Sequence, residues 1–367
     1  MNELDSIFQE VEEQAPILND VEQYAHTVIY GAGNMGRQVL DILRRGGYRV
    51  DCFLDRNAAS IGQVDGVPVM TLEQFRVQAN TVAIIGLMLS EQAYEVLEKE
   101  LYSAGAEKVL NGYELTTEDM FSSEDTGILN QPEMQRRIRH IYEELADDES
   151  RRCYLQSLDC HKRNNYSDAK ISSGLVQYLD VDIPLQKGYA SFVDCGAFTG
   201  DTLAEMNRLQ LPVHSYFAFE PDLSNYQKLS SIFENNVDHL QLEKAQLFPL
   251  AVSDETAIAR FHQQGAGNSA LDNEGEVIVP TVRIDDLMKR ETVSFLKMDI
   301  EGAELAALHG AEQLISEQKP DLAICIYHKL SDLWDIPEYI YRLVPEYRFY
   351  IRCHYACALE TVLYATM

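Results

Sequence analysis

The sequence predicts an α/β protein with two open sheets joined by a helical segment. Short apolar runs alternate with helical patterns from about residue 27 to residue 112. The alternation stops between residues 116 and 186, and it returns from residue 191 to the end of the chain. Because two parallel strands are joined most readily by a helix in a right-handed crossover, each alternating region predicts a mostly parallel sheet.

The first alternating region predicts a small Rossmann-like domain, for which we take residues 1–115. Its predicted strands are residues 27–30, 49–55, 82–85 and 108–110, and its predicted helices are residues 34–45 and 91–102. The predicted strands are short and mostly apolar, as expected for strands that are covered by helices on both faces of a parallel sheet.

The middle segment, residues 116–186, is predicted to be a helical connector or cap. Pro132 suits the first turn of a helix, where its missing N–H is not needed. Ile138, Ile141 and Leu145 then recur at helical spacing.

The last region, residues 187–367, predicts a second domain with a seven-stranded sheet. The predicted strands are residues 191–196, 214–220, 247–252, 293–299, 322–327, 347–353 and 360–365. Only a short turn separates the last two strands, so they are predicted to form an antiparallel hairpin at the end of an otherwise parallel sheet.

Composition and charge exclude several classes of function. The chain has 367 residues, of which 46% are hydrophobic, and its formal net charge is −29. Such a charge would repel a phosphate backbone, so no nucleic-acid partner is expected. The sequence contains no run of about 18 uncharged apolar residues, so no membrane span is expected. An acidic N-terminus and seven cysteines without paired spacing predict a cytoplasmic protein with reduced thiols.

A glycine-containing turn follows the first strand of the second domain. Gly196 and Gly200 would let the backbone approach a ligand closely, while Asp201 and Thr202 begin the next helix and offer free N–H groups. Asp194 adds negative charge, which disfavours phosphate and suits a cationic group such as an amino acid moiety or a sulfonium. A dinucleotide site or a plain α/β turn remains the alternative at this point.

The next two strand ends extend this prediction to a nucleoside. Glu220 ends the second strand, where a carboxylate can accept both hydroxyls of a ribose. Ser253 and Asp254 follow the third predicted strand and are candidate contacts for the edge of an adenine. Together with the terminal hairpin, these residues favour an adenosyl ligand.

The fourth and fifth strands predict a catalytic edge. Asp299 and His328 come at the carboxyl ends of these strands, where ligands bind in open α/β sheets. His328 is the preferred general base, because an unperturbed pKa of about 6.5 suits that task, and Asp299 could instead be the base or orient His328. Glu301 is the third predicted catalytic residue. Glu301 and Glu304 fall near the start of the next helix, so helix capping is the alternative explanation for both acids. A divalent cation held by these three acids and His328 is a further alternative, although no metal is our first expectation.

Four segments together carry a family resemblance. They are residues 193–202 (VDCGAFTGDT), 219–222 (FEPD), 297–304 (KMDIEGAE) and 326–329 (IYHK). In this order they resemble the FkbM-type family of S-adenosylmethionine-dependent methyltransferases, over about residues 177–367. The resemblance implies a class I methyltransferase fold, usually O-methylation of sugars, glycans or polyketide-like products, and cofactor contacts from Asp194, Gly196 and Glu220. Cys353 stands where a second basic or polar residue is expected.

The first domain has its own glycine motif. Gly31, Gly33 and Gly36 directly follow a predicted strand and open a helix, and Asp55 ends the next strand. Residues 54–57 (LDRN) and 61–69 (IGQVDGVPV) resemble the Rossmann-like N-terminal domains of bacterial sugar acetyltransferases. That resemblance implies a nucleotide or nucleotide-sugar ligand, with NAD or a mere scaffold as alternatives.

The sequence thus predicts a methyltransferase that acts on a small molecule or glycan. The alternative is a non-catalytic nucleotide-sugar-binding or regulatory protein with a degenerate methyltransferase fold. The intact Asp194, Glu220, Asp299 and His328 argue against that alternative. The sequence leaves the oligomeric state open, a homo-oligomer included.

Overall fold

The computed structural model describes residues 3–9, 16–75, 79–87, 89, 91–121, 124–164, 166, 170–172, 176–179, 182–236, 242–262, 270–271, 277–355 and 358–367. The chain divides into two compact units. The N-terminal unit comprises residues 10–125 and 160–168, and the C-terminal unit comprises residues 1–9, 126–159 and 169–367. A short helix, α1 (Glu3–Ile7), belongs to the C-terminal unit. Among the described residues, no helix is both long and apolar enough to cross a membrane.

The N-terminal unit contains a six-stranded sheet. Its elements are α2 (Leu18–Glu22), β1 (His26–Tyr30), α3 (Asn34–Arg45), β2 (Cys52–Leu54), α4 (Ala58–Ile61), β3 (Gln63–Val64), β4 (Val67–Met70), β5 (Thr81–Ile85), α5 (Glu91–Ala104), β6 (Lys108–Asn111) and α6 (Gly112–Phe121). The strand order is β3-β4-β2-β1-β5-β6, and all pairs are parallel except β3 with β4. The predicted alternation of strands and helices is confirmed in this unit.

The β3–β4 hairpin was not predicted. Its turn consists of Asp65 and Gly66, which have φ angles of 49° and 81°. An Asp-Gly pair with both φ angles positive is the signature of a two-residue hairpin turn. The signal was therefore present in residues 61–69, but the strands are only two and four residues long.

The predicted helical segment between the sheets contains a 3-10 turn (Thr126–Asn130), α7 (Pro132–Glu144) and α8 (Asp148–Arg163). Pro132 occupies the first turn of α7, as expected. Ile138 and Ile141 are fully buried in the same hydrophobic cluster as Phe349 of the C-terminal sheet. Helix α7 therefore covers one face of that sheet.

The C-terminal unit contains the remaining strands and helices. They are β7 (Ser191–Cys195), α9 (Asp201–Arg208), β8 (Ser215–Phe219), α10 (Leu223–Asn236), β9 (Lys244–Phe248), β10 (Ala251–Val252), β11 (Ile258–His262), β12 (Ala270–Leu271), β13 (Val277–Val282), α11 (Ile284–Leu287), β14 (Phe295–Met298), α12 (Glu304–His309), α13 (Glu312–Gln318), β15 (Asp321–Cys325), α14 (Asp332–Leu343), β16 (Arg348–Cys353) and β17 (Thr361–Thr366).

The main sheet has seven strands, in the order β16-β17-β15-β14-β7-β8-β9. Only β17 runs antiparallel to its neighbours, β15 and β16. The predicted seven-stranded sheet with an antiparallel final hairpin is thereby confirmed. Successive residues of β7 point to opposite faces: Val193 lies in one buried cluster and Phe192 in the other, so both faces of the sheet are covered.

The prediction for the third strand, residues 247–252, was wrong in its bounds. Strand β9 ends at Phe248, and β10 belongs to a separate four-stranded sheet, in the order β10-β13-β11-β12. Pro249 lies between the two strands and has no N–H to continue the ladder of β9. Ser253 and Asp254 therefore follow a strand of the smaller sheet rather than the third strand of the main sheet.

Candidate active site

The glycine turn after β7 is pressed against the end of β14. Gly196 has a φ of 77°, and a β-carbon added to it would lie 1.8 Å from the backbone oxygen of Asp299. Gly200 has a φ of 90° and is the N-cap of α9. The first residues of α9 are Asp201, which is exposed, and Thr202, which is buried. The predicted turn and helix start are thus adjacent to the predicted catalytic strand.

Asp194 lies beneath this turn and is fully buried. Its Oδ1 is 2.9 Å from Nζ of Lys297, and its Oδ2 accepts a 2.8 Å hydrogen bond from the Tyr216 hydroxyl. Lys297 also donates to the backbone oxygen of Gly196, at 2.7 Å. The carboxylate is therefore engaged by protein groups that support the turn, and its predicted contact with a cationic ligand stays a prediction.

Lys297 was not predicted as a site residue. It is directly opposite Asp194 in the parallel register of β14 and β7, and its Nζ lies 4.9 Å from the centroid of the Tyr178 ring. Burial alone would lower the pKa of Lys297, but the negative charges of Asp194 and Asp299 hold it above its usual value. A lysine in an otherwise apolar buried strand was the available signal.

Glu220 follows β8 and is 6% exposed. Its Oε2 accepts the N–H of Phe198 in the glycine turn, at 2.9 Å, and its Oε1 accepts the N–H of Asp222, at 2.8 Å. Burial raises the pKa of Glu220 to about 7, although the two backbone hydrogen bonds oppose the shift. Each carboxylate oxygen retains a second lone pair, so the residue can still accept hydroxyl groups of a ligand.

Ser253 and Asp254, the predicted adenine contacts, lie at the surface after β10. Asp254 is exposed, and the Ser253 hydroxyl donates to its Oδ1 at 3.1 Å. The backbone oxygen of Ser253 packs against Gly310: a β-carbon added to Gly310 would lie 2.0 Å from this oxygen. This contact links the loop after β10 to the end of α12.

His328 stands among carboxylates at the ends of β14 and β15. Its Nδ1 lies 3.0 Å from Oε1 of Glu304. Its Nε2 lies 3.5 Å from Oδ1 of Asp299 and 3.7 Å from Oε2 of Glu301. The structure therefore brings together all three predicted catalytic residues and adds Glu304, the first residue of α12. Glu304 also accepts the backbone N–H of Ile300 at 2.8 Å, as expected for an acid at a helix start.

These charges determine the protonation of the cluster in the absence of a ligand. Burial alone would lower the pKa of His328, but Glu304, Glu301 and Asp299 raise it well above its usual value. Burial raises the pKa of Glu301 to about 8, which the nearby imidazolium opposes. The raised pKa of His328 favours the imidazolium, and an imidazolium must lose a proton before it can act as a base.

The carboxylate of Asp299 accepts hydrogen bonds from two tyrosines. The hydroxyl of Tyr178 donates to Oδ2 at 2.6 Å, and that of Tyr327 donates to Oδ1 at 3.4 Å. Burial would raise the pKa of Asp299, but the charges of Lys297 and His328 lower it. Tyr178 was missed because it lies in the segment predicted as a helical connector, with no motif around it.

The glycine motif of the N-terminal unit repeats the geometry seen at Glu220. Asp55 follows β2, its Oδ2 accepts the N–H of Ala32 in the glycine turn at 2.9 Å, and its Oδ1 accepts the N–H of Asn57 at 2.8 Å. Gly36 packs on Gly31: a β-carbon added to Gly36 would lie 1.9 Å from the backbone oxygen of Gly31. A β-carbon on Gly33, at the N-cap of α3, would meet nothing within 4 Å.

Comparison with known proteins agrees with this fold. The C-terminal half carries an S-adenosylmethionine-dependent methyltransferase domain. In particular, residues 194–351 match the model of the Methyltransferase FkbM domain, and FkbM methyltransferases use S-adenosylmethionine. The predicted FkbM resemblance and cofactor are thereby confirmed for this half of the chain.

The fold of the whole chain is similar to a solved structure, the crystal structure of methyltransferase FkbM from Methylobacillus flagellatus KT. The match has a TM-score of 0.68 and 22% sequence identity, and it covers 99% of this chain and 97% of the other. No curated protein matches the chain. The resemblance of the N-terminal unit to sugar acetyltransferases has no support from these comparisons.

Proposed function

We propose that this protein transfers the methyl group of S-adenosylmethionine to a hydroxyl of a sugar, a glycan or a related metabolite. One observation carries the proposal: the Gly196 turn touches Asp299, and Asp299 lies 3.5 Å from His328. A cofactor on the turn and an acceptor at the polar cluster would therefore share one edge of the sheet. Ligands of open α/β sheets bind at this edge, beyond the carboxyl ends of the strands.

The cofactor roles follow from the local chemistry. Gly196, Gly200 and the helix start at Asp201 and Thr202 offer backbone groups and a close approach to the amino acid moiety. Glu220 accepts the ribose hydroxyls with its remaining lone pairs. We propose that Ser253 and Asp254 contact the edge of the adenine.

The reaction is an in-line displacement at the methyl carbon. The bond from sulfur to the methyl carbon breaks, the bond from the acceptor oxygen forms, and sulfur keeps the electron pair. Alignment of the two reactants can supply several kcal/mol, in favourable cases about 7–11 kcal/mol. A sugar hydroxyl also has to lose its proton, and we propose that His328 accepts it once the imidazolium has been deprotonated, with Asp299 as the alternative acceptor.

A hydroxyl acceptor is favoured over a nucleobase. The residues after β14 are Asp299-Ile300-Glu301-Gly302, without the Asn/Asp-Pro-Pro-aromatic sequence that is typical of enzymes that methylate nucleobase amino groups. The net charge of −29 also disfavours a polyanionic substrate.

We place the protein in the cytoplasm, because the six described cysteines are all free and buried.

The decisive experiment is calorimetric titration of the full chain with S-adenosylhomocysteine, repeated on Glu220→Ala. Micromolar binding that weakens at least tenfold in the variant supports the assigned cofactor site. Candidate glycans and sugar metabolites are then screened for methylation. Folded, ligand-free wild type that does not bind S-adenosylhomocysteine would instead favour the non-catalytic alternative, a nucleotide-sugar-binding or regulatory protein.

A second function is favoured by the geometry at Asp55. We propose that the N-terminal unit binds a nucleotide, and a nucleotide sugar in particular. The support is the match between the Asp55 contacts and the Glu220 contacts: each acid accepts one N–H from its glycine turn and one from the residue two positions later. Gly31, Gly33 and Gly36 would provide the turn for the phosphates.

Thermal denaturation tests this second proposal. Uridine diphosphate sugars should raise the melting temperature of the full chain, and Asp55→Ala should abolish that rise while the effect of S-adenosylhomocysteine persists. If neither these nucleotides nor NAD changes the melting temperature, the unit is a scaffold.

A further inference from the structure

We infer that Asp299, Glu304 and His328 hold one divalent cation, with Glu301 as a further carboxylate donor. This site belongs to the acceptor side of the proposed methyltransferase site, and its role in catalysis rests on that proposed function. Its capacity to bind a metal does not, because binding depends only on the donor atoms.

The donor atoms are close enough to share one ion. One ligand atom from each of Asp299, Glu304 and His328 can be chosen so that all three lie within 4.8 Å of one another. Donors that are each about 2.0–2.2 Å from one metal are separated from each other by less than about 4.4 Å. Small side-chain rotations would therefore bring the three donor atoms to this separation. Glu301 can supply a further donor, because its Oε2 lies 3.7 Å from Nε2 of His328.

A second observation points to a missing partner. Glu304 is fully buried and His328 is 8% exposed, yet Oε2 of Glu304 and both ring nitrogens of His328 make no hydrogen bond of acceptable geometry. Buried polar atoms in proteins are nearly always satisfied, and each exception calls for an explanation such as an ion. A cation bound by one ring nitrogen of His328 and by Oε2 of Glu304 would satisfy two of these three atoms.

Charge balance leads to the same conclusion. The carboxylates of Asp299 and Glu304 both lie beside one imidazole, so even a protonated His328 leaves an excess of negative charge. The two lysines at the ends of these strands are engaged elsewhere: Lys297 pairs with Asp194, and Lys329 donates to the backbone oxygen of Gly302. Buried charge without compensation costs several kcal/mol, and a divalent cation would remove that cost.

The donor set indicates the class of metal. Magnesium and calcium prefer oxygen ligands alone, whereas a mixture of imidazole and carboxylates suits manganese, iron or zinc. Methyl transfer changes no oxidation state, so the ion would act by coordinating the acceptor hydroxyl and favouring loss of its proton. Manganese is the appropriate probe, since it accepts this donor set and is visible by electron paramagnetic resonance.

The test is titration of the metal-stripped full chain with manganese(II) chloride. The concentration of free manganese is measured at each step from its electron paramagnetic resonance signal. We expect one bound ion per chain, with affinity at least tenfold weaker in Glu304→Gln and in Asp299→Asn. Glu301→Gln, at a half-buried side chain, gives a milder variant if either of these fails to fold. Glu317→Gln is the matched control, because Glu317 lies at the end of α13, on the side where β15 begins.

Wild type without a stoichiometric manganese ion would overturn the inference, as would equal affinity in all four variants. Titration of the same samples with S-adenosylhomocysteine separates this inference from the proposed function. Cofactor binding without manganese binding rejects the metal and keeps the methyltransferase assignment. Manganese binding without cofactor binding keeps the metal site and rejects the cofactor site.

Discussion

Gly196 and Asp299 are in such close backbone contact that a β-carbon on Gly196 would lie 1.8 Å from the carbonyl oxygen of Asp299. The glycine turn after β7 and the end of β14 are therefore in direct backbone contact. Because the N–H of Asp299 also donates to the carbonyl of Cys195, at 3.0 Å, the contact is reinforced from both strands. In the proposed function, this backbone junction joins the cofactor site to the acceptor site.

Gly196→Ala should therefore disrupt the cofactor site and the catalytic strand together. The positive φ of Gly196 alone costs roughly 1–2 kcal/mol for a residue with a β-carbon, and the overlap with Asp299 adds to it. We expect a lower melting temperature and loss of S-adenosylhomocysteine binding, measured by scanning fluorimetry and calorimetry. Gly188→Ala is the control, because Gly188 has a φ of 65° but an added β-carbon would meet nothing within 4 Å. Equal effects of the two substitutions would contradict the importance of the overlap.

The ion pair between Asp194 and Lys297 should be strongly coupled. Lys297→Met leaves the Asp194 carboxylate buried without its partner, and this should lower the free energy of unfolding by about 3–5 kcal/mol. Adding Asp194→Asn should restore a large part of the loss, because the remaining Tyr216 hydroxyl can still bond to an amide oxygen. Urea denaturation of both single variants and the double variant measures the coupling. Additive losses would show that the pair does not stabilise the protein as a unit.

Cofactor affinity should depend on pH through Glu220. Its pKa is raised by burial to about 7, so the protonated form accumulates below that pH in the ligand-free protein. A protonated carboxyl is a poorer acceptor for ribose hydroxyls, so the affinity should fall as pH drops through 7, by up to about tenfold per unit. Above about pH 8 the affinity should be constant. Calorimetry between pH 6 and pH 8.5 checks this, and Glu220→Gln, which cannot titrate, should give a flat and weaker profile.

His328→Ala should separate chemistry from cofactor binding. The imidazole contacts Glu304 and Asp299 at the acceptor edge and has no contact with the glycine turn among the described hydrogen bonds and ion pairs. We expect turnover to fall by about 10²–10⁴-fold while the affinity for S-adenosylhomocysteine stays within about twofold. Once an acceptor is known, single-turnover assays provide the measurement. Unchanged turnover would remove His328 from the proposed machinery.

Local patterns were sufficient to place the proposed site residues at the carboxyl ends of their strands. Gly196, Glu220, Asp299 and His328 each follow an apolar strand, and the carboxyl ends of parallel strands meet at one edge. By contrast, the third strand was misplaced by three residues at its start, because an apolar run continues past Pro249. The small sheet from β10 to β13 was not predicted, since β10 and β12 have only two residues each and β13 is exposed at three of its six residues.

The sequence by itself determined the α/β class, the seven-stranded sheet with its antiparallel hairpin, and the glycine turn and acidic strand ends of the methyltransferase domain. These features follow from hydrophobic periodicity and from local backbone chemistry. Only the tertiary structure decided which side chains complete the site. Tyr178 reaches Asp299 across 121 positions of sequence, and Lys297 meets Asp194 through the register of two strands. Such contacts depend on how distant segments pack, because a buried charge or hydroxyl selects its partner in space rather than along the chain.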